Sequence, residues 1–170
     1  MLPTPKGEEI VIITGAGGSG VLLSDAVVDN DLSLMKFPHD LDEAFKEFIP
    51  PFGASGNPVD ITGGEPPITY ENTIRLGLED DRVHSLILGY WHTIITPPMV
   101  FAELCVRVVQ EGRDKGIDKP IVASLVGDVE VEEASEYLYE RGIVACPYTT
   151  ELPVAILGAK YQWARNAGLL

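Results

Sequence analysis

The sequence predicts a flavodoxin-like, doubly wound α/β domain: one parallel sheet between two helical layers. Three observations lead there. Short apolar runs rich in β-branched residues, such as Ile10-Val11-Ile12-Ile13, lack the polar alternation of a half-exposed strand and read as strands buried on both faces. Helical patterns alternate with these runs, which calls for parallel strands joined by right-handed crossovers. The 170 residues are enough for one sizeable core and too few for two.

Taken in order, the first strand runs over 10–13 and ends at Thr14-Gly15. From Gly17 the pattern turns helical, through Val21, Leu22, Ala26 and Val27, to about Asn30. A weaker second strand is expected over 32–37. A short helix follows over 41–48, stopped by Pro50-Pro51. Residues 51–67 are rich in Gly, Pro, Asn and Ser and read as loop. A helix over 68–79 leads to a strand over 83–90. The next helix, 97–111, is amphipathic, with Phe101, Leu104, Cys105 and Val108 on one side and prolines suited to its first turn. A strand over 121–126 and a Glu-rich helix over 130–140 come next, with Gly142 at the position that closes a helix in left-handed backbone. The last strand is 143–146 and the last helix 151–165. Residues 1–8 read as a linker or chain start, and 9–168 as the domain.

Composition narrows the function classes. The net charge of −14 argues against nucleic acid and anionic membranes, both of which need a basic face. No apolar run approaches 18 residues, and no leader pattern opens the chain, so a cytoplasmic protein is expected. Cys105 and Cys146 stand apart from any CxxC or Cys/His cluster; they read as buried thiols, and no metal site is expected.

The strongest chemical signal is Thr14-Gly15-Ala16-Gly17-Gly18-Ser19-Gly20, between the first strand and the first helix. In a doubly wound sheet this turn lies at the carboxyl edge, where ligands bind. A helix start offers unpaired N–H groups and about half a positive charge, and glycines let an anion approach the backbone. Phosphate or carboxylate is the expected ligand; a tight turn needing only glycine is the plainer alternative. Gly15-x-Gly17-x-x-Gly20 also fits a dinucleotide pattern. The acidic residue that NAD requires is missing near 35–37, whereas Lys36 suits the 2′-phosphate of NADP. A Walker loop is excluded, since no Gly-Lys-Ser/Thr follows. A second candidate is the stretch 56–64, in which Asn57 and Asp60 stand either for a substrate loop or for an Asx turn. The third is 89–98. Tyr90, Trp91 and His92 there stand for an acyl pocket or a packed aromatic edge, and Thr93, Ile94, Ile95 and Thr96 form a loop beside it. Of His39, His84 and His92, only His92 is well placed for substrate. No catalytic triad, zinc-binding pair or carboxylate couple emerges.

Several segments, in order across 7–165, resemble one family. Ile10-Val11-Ile12-Ile13-Thr14-Gly15-Ala16-Gly17-Gly18-Ser19-Gly20-Val21-Leu22-Leu23-Ser24-Asp25 resembles its TNAGGPGVLAxD motif. Gly56-Asn57-Pro58-Val59-Asp60-Ile61-Thr62-Gly63 resembles GNPVDLTG, Lys119-Pro120-Ile121-Val122-Ala123 resembles KPVVA, and Gly142-Ile143-Val144-Ala145 resembles its final strand. The family is the NDP-forming acyl-CoA synthetases. Within it the chain is similar to the carboxyl-terminal flavodoxin-like domain of the succinyl-CoA synthetase β subunit.

The resemblance implies that acyl-CoA and phosphate exchange through an acyl phosphate and a phosphohistidine, with the phosphoryl group passing to ADP or GDP. Two helix N-termini face the phosphohistidine in such enzymes, and residues 14–20 would supply one, with Thr14 placed to contact the acyl carboxylate. Ser19 replaces the usual Pro, and Gly15 the usual Asn. The phosphorylated histidine belongs to a Ser-His-Thr-Gly-like segment of another domain, and no histidine here has that context. The resemblance therefore implies no catalytic residue in this chain and no activity alone. The expected partners are a CoA-binding Rossmann domain, a phosphohistidine domain and an ATP-grasp domain. CoA, ADP/ATP or GDP/GTP and Mg are expected to serve the complete enzyme, with none held tightly here. The chain is expected to be an excised domain or a small subunit.

Overall fold

The computed structural model describes residues 2–170. Five strands, β1 (Ile10–Thr14), β2 (Val59–Asp60), β3 (Ser85–Trp91), β4 (Ile121–Val126) and β5 (Val144–Pro147), form one parallel sheet in the order β2-β1-β3-β4-β5. Six helices connect them: α1 (Gly17–Asp29), α2 (His39–Lys46), α3 (Pro67–Glu79), α4 (Pro98–Asp114), α5 (Glu130–Glu140) and α6 (Glu151–Asn166). This is the flavodoxin-like, doubly wound fold expected from the sequence. Its winding reverses between β1 and β3, which opens a crevice at their carboxyl ends.

The unalternating strands are explained by cover on both faces. Ile10, Ile12, Ile87 and Val122 meet α1 and α6 through Leu23, Val27, Val154, Leu157 and Tyr161. Val11, Ile13, Leu86, Leu88 and Leu125 join the opposite core, which includes Phe45, Ile74, Phe101, Cys105 and Leu138. All four residues from Ile10 to Ile13 are fully buried, each contributing about 1.5–3 kcal/mol through burial of its side chain. The opposite core also holds an aromatic stack: Tyr90 lies on Phe101 with centroids 4.5 Å apart, and Tyr70 meets Phe101 edge-on at 5.1 Å. Both thiols are buried, as expected, and burial pushes each up from its ordinary value. Gly142 has φ +81° just past the end of α5, the left-handed closure its position called for.

The expected strand over 32–37 does not form. Leu34 makes a single bridge to Ile10, and Met35 N–H donates to Ile10 O at 3.0 Å. The edge strand proper is the two-residue β2, inside the segment read as loop. Asn57 joins these two pieces. Its Nδ2 donates to Ile10 O at 2.7 Å and Met35 O at 3.1 Å, and its Oδ1 accepts Ile12 N–H at 2.9 Å. One side-chain amide thus satisfies the backbone groups of β1 that a continuous neighbour would have paired. Residues 2–8 carry no helix or strand, yet Leu2 is buried against the α1–α6 core and Tyr161 Oη donates to Gly7 O at 3.0 Å.

Candidate functional site: the amino end of α1

β1 delivers the chain to the crevice at Thr14. The fully buried Thr14 hydroxyl accepts Ala16 N–H and donates to Ala16 O, both at 3.1 Å, while Gly15 N–H donates to Gly89 O at 3.1 Å. The first helical bond is Gly20 N–H to Ala16 O, 3.0 Å. The N–H groups of Gly17, Gly18 and Ser19 accordingly have no acceptor among the described residues. Ala16 offers no side-chain cap, and no acidic residue lies in the first turn. The positive end of α1 is therefore left unneutralised by the helix itself.

Space, not backbone handedness, explains the glycines. None of Gly15, Gly17, Gly18 and Gly20 has positive φ. A Cβ at Gly15 would stand 1.9 Å from Tyr70 Oη, and one at Gly17 would stand 2.7 Å from Asp60 Oδ2, whereas one at Gly18 would meet nothing within 4 Å. Gly18 thus faces open space.

Two clefts flank this helix end. The first, about 530 Å³, is lined by Gly15, Ala16, Gly18, Ser19 and Leu22 on one side and by Gly63, Trp91 and Thr93 on the other. It lies at the reversal point between β1 and β3, and its lining contains no Lys, Arg or His. The second, about 290 Å³, includes Thr14, Gly17, Asp25 and Asp60. Asp60 therefore belongs to the far side of the helix end. Its Oδ1 accepts Thr62 N–H at 2.9 Å, the Asx-turn geometry weighed from sequence. Thr62, a β-branched residue, is held at φ +66°, where such side chains are strained.

The remaining sequence candidates separate. The Asn57 amide is occupied by the sheet backbone, which removes it from any ligand. His92 turns toward α5, its Nε2 3.3 Å from Glu130 Oε2, and does not line the first cleft. Thr93 does line it. Ile94 and Ile95 project outward, Ile94 almost fully exposed. Thr96 is buried, its hydroxyl donating to Glu65 O at 3.1 Å and its carbonyl accepting Tyr90 Oη–H at 2.6 Å. Tyr90 is a core residue, so of the aromatic trio only Trp91 reaches the cleft. Lys36 sits in a separate hollow with Phe37, His39 and Asn57, away from both clefts at α1. The residue that sequence reasoning missed is Tyr70. It lies 55 positions from Gly15, and no local pattern signals that its hydroxyl fills the space beside that glycine. Burial pushes this hydroxyl well above its ordinary value, so it stays protonated.

With this geometry in view, comparison with known proteins is direct. The Ligase-CoA domain family model matches residues 10–170, and the chain belongs to that family. It is 38% identical over 164 residues to the ADP-forming acetate–CoA ligase I subunit alpha of Pyrococcus furiosus, covering 96% of this chain and 34% of that protein. It is 35% identical over 162 residues to the ADP-forming acetate–CoA ligase of Methanocaldococcus jannaschii, covering 95% of this chain and 23% of that protein. The dinucleotide-forming acetyl-coenzyme A synthetase 1 of Ca. Korarchaeum cryptofilum, solved in its apo form, superposes with a TM-score of 0.91 at 34% identity, over 99% of this chain and 36% of that one. The chain therefore spans about a third or less of the relatives it matches.

Proposed function

We propose that this chain is the domain of an ADP-forming acyl-CoA synthetase that presents the α1 N-terminus to the transferring phosphoryl group. In the complete reaction phosphate displaces CoA from the thioester, giving an acyl phosphate. A histidine of another domain takes the phosphoryl group and frees the carboxylate. ADP on an ATP-grasp domain then receives it as ATP. A CoA-binding Rossmann domain, the phosphohistidine domain and the ATP-grasp domain are the partners in this reading. In this reading magnesium serves the nucleotide on the ATP-grasp domain.

The observation that carries the reading is the run of free N–H groups at Gly17, Gly18 and Ser19, the last two belonging to residues that line the cleft at the sheet's reversal point. Fixed dipoles of this kind stabilise developing phosphoryl charge without reorganising. They also replace the basic side chains the cleft lacks.

The test is reconstitution. The chain is mixed with the remaining synthetase domains, and CoA release dependent on ADP and phosphate is followed. Gly18→Asp places a carboxylate in open space at the helix end and is expected to lower turnover roughly 100-fold or more, with folding intact. Gly18→Ala, equally free of clashes, should keep most activity. Equal turnover with wild type, Gly18→Asp or no domain would overturn the reading.

A further inference from the structure

Three buried side-chain oxygens lack a hydrogen-bond partner among the described residues: Ser19 Oγ, Thr62 Oγ1 and Ser135 Oγ. Two of them lie near the start of α1: Ser19 in its first turn and Thr62 in the loop after β2. Ser19 is the third residue of α1, is only 3% exposed, and lines the first cleft beside Gly18. An unpaired buried hydroxyl is costly, so its persistence calls for an explanation. Its backbone N–H is also unpaired. One residue thus brings two unspent donors to the helix end where Gly17 and Gly18 bring one each.

We propose that Ser19 is an oxyanion-binding residue whose Oγ–H joins the N–H groups of Gly18 and Ser19 as a third donor to a phosphoryl group seated in the first cleft. This rests on the functional reading above and adds to it a side chain where that reading uses only backbone. A proline at this position would supply neither donor, so the Ser19 departure from the motif strengthens the anion cradle. The hydroxyl is held unpaired in the free chain and finds its partner on binding. Removing it should therefore stabilise the free protein and weaken the complex, two effects that a purely structural serine would not combine.

The experiment titrates the chain with inorganic phosphate, following backbone amide shifts of Gly17, Gly18 and residue 19, for wild type, Ser19→Ala and Ser19→Thr. Thermal melts are recorded without phosphate. Ser19→Ala is expected to weaken phosphate about 10-fold, the scale of one charge-assisted hydrogen bond, and to raise the melting temperature by a few degrees. Ser19→Thr, which keeps the hydroxyl, should recover most of the affinity. Acetyl phosphate titrated in parallel separates the two sources of the group. Ser19-dependent affinity above that for inorganic phosphate assigns the acyl phosphate, and equal affinity assigns the phosphohistidine. If phosphate shifts the wild-type amides and Ser19→Ala binds as tightly, Ser19 is not a ligand and the helix-end reading stands. If phosphate leaves the wild-type amides of 17–19 unmoved, both fall.

Discussion

Helices α1 and α5 both follow strands of the sheet and both start at its carboxyl edge, yet their first turns are built oppositely. α5 opens with Glu130, Glu132 and Glu133, and Asp128 Oδ1 accepts Val129 N–H at 2.7 Å. Its positive end is neutralised within its own sequence. α1 opens with Gly17, Gly18 and Ser19 and has no side-chain cap. The other helices carry either an acidic first turn, as in α2 and α6, or a proline that removes an N–H there, as in α3 and α4. Among the described helices α1 alone has neither. A helix end filled with carboxylates serves stability; one left empty beside a cleft is available to an anion. Gly18→Asp, which gives α1 the chemistry of α5, is the sharpest test of that contrast.

After it, the largest effect should come from Gly15→Ala, which sets a methyl group against Tyr70 Oη in the turn that aims α1. The loss should be about 1–3 kcal/mol by overpacking, read from denaturant melts. Tyr70→Phe should recover part of it in the double variant. Simple additivity would show that this contact does not hold the turn. Smaller is the change expected on removing the charges of α5. The triple variant Glu130→Gln, Glu132→Gln, Glu133→Gln should lower the melting temperature by a few degrees at low ionic strength, fading as salt rises. Phosphate affinity at α1 should not change. A parallel loss of phosphate binding would mean that the two helix ends are not independent.

Asp60→Asn should tighten phosphate several-fold, because it removes the one carboxylate against Gly17 while keeping the oxygen that accepts Thr62 N–H. Unchanged affinity would place that carboxylate outside the anion's field. The smallest effect is expected at the amino-terminal end of the strands, where burial lowers the His84 pKa and its Nδ1 accepts Glu9 N–H at 3.1 Å. Below about pH 6.5 the unfolded chain takes up this proton before the folded one does, so stability should fall as pH drops through that range. His84→Gln should flatten the profile without altering phosphate binding at α1.

Much of this was legible in the sequence because it is local. The strands at 10–14, 85–91 and 121–126 announce themselves by apolar runs without polar alternation, and the Gly-rich turn announces the start of α1. The edge strand was not legible. Val59–Asp60 is too short to show a period, and it is flanked by Pro58 and Thr62-Gly63-Gly64, which read as turn chemistry. The stretch 32–37 has the apolar content of a strand but makes only one bridge, because Asn57 takes over the pairing that its backbone would have made. On α1 the apolar pattern misleads as well. Val21 and Leu22 are exposed, while Ser19 and Gly20 are buried.

The sequence by itself determined the alternation of strands and helices, the layered fold it requires, and a helix start free of its own charges. Each of these depends on residues within one turn or one strand of each other. Only the tertiary structure decided which loops meet at that helix start. Tyr70 against Gly15, Asp60 against Gly17, and Trp91 and Thr93 across the cleft from Ser19 are neighbours because parallel strands bring distant connections to one edge, a relation that no local pattern encodes.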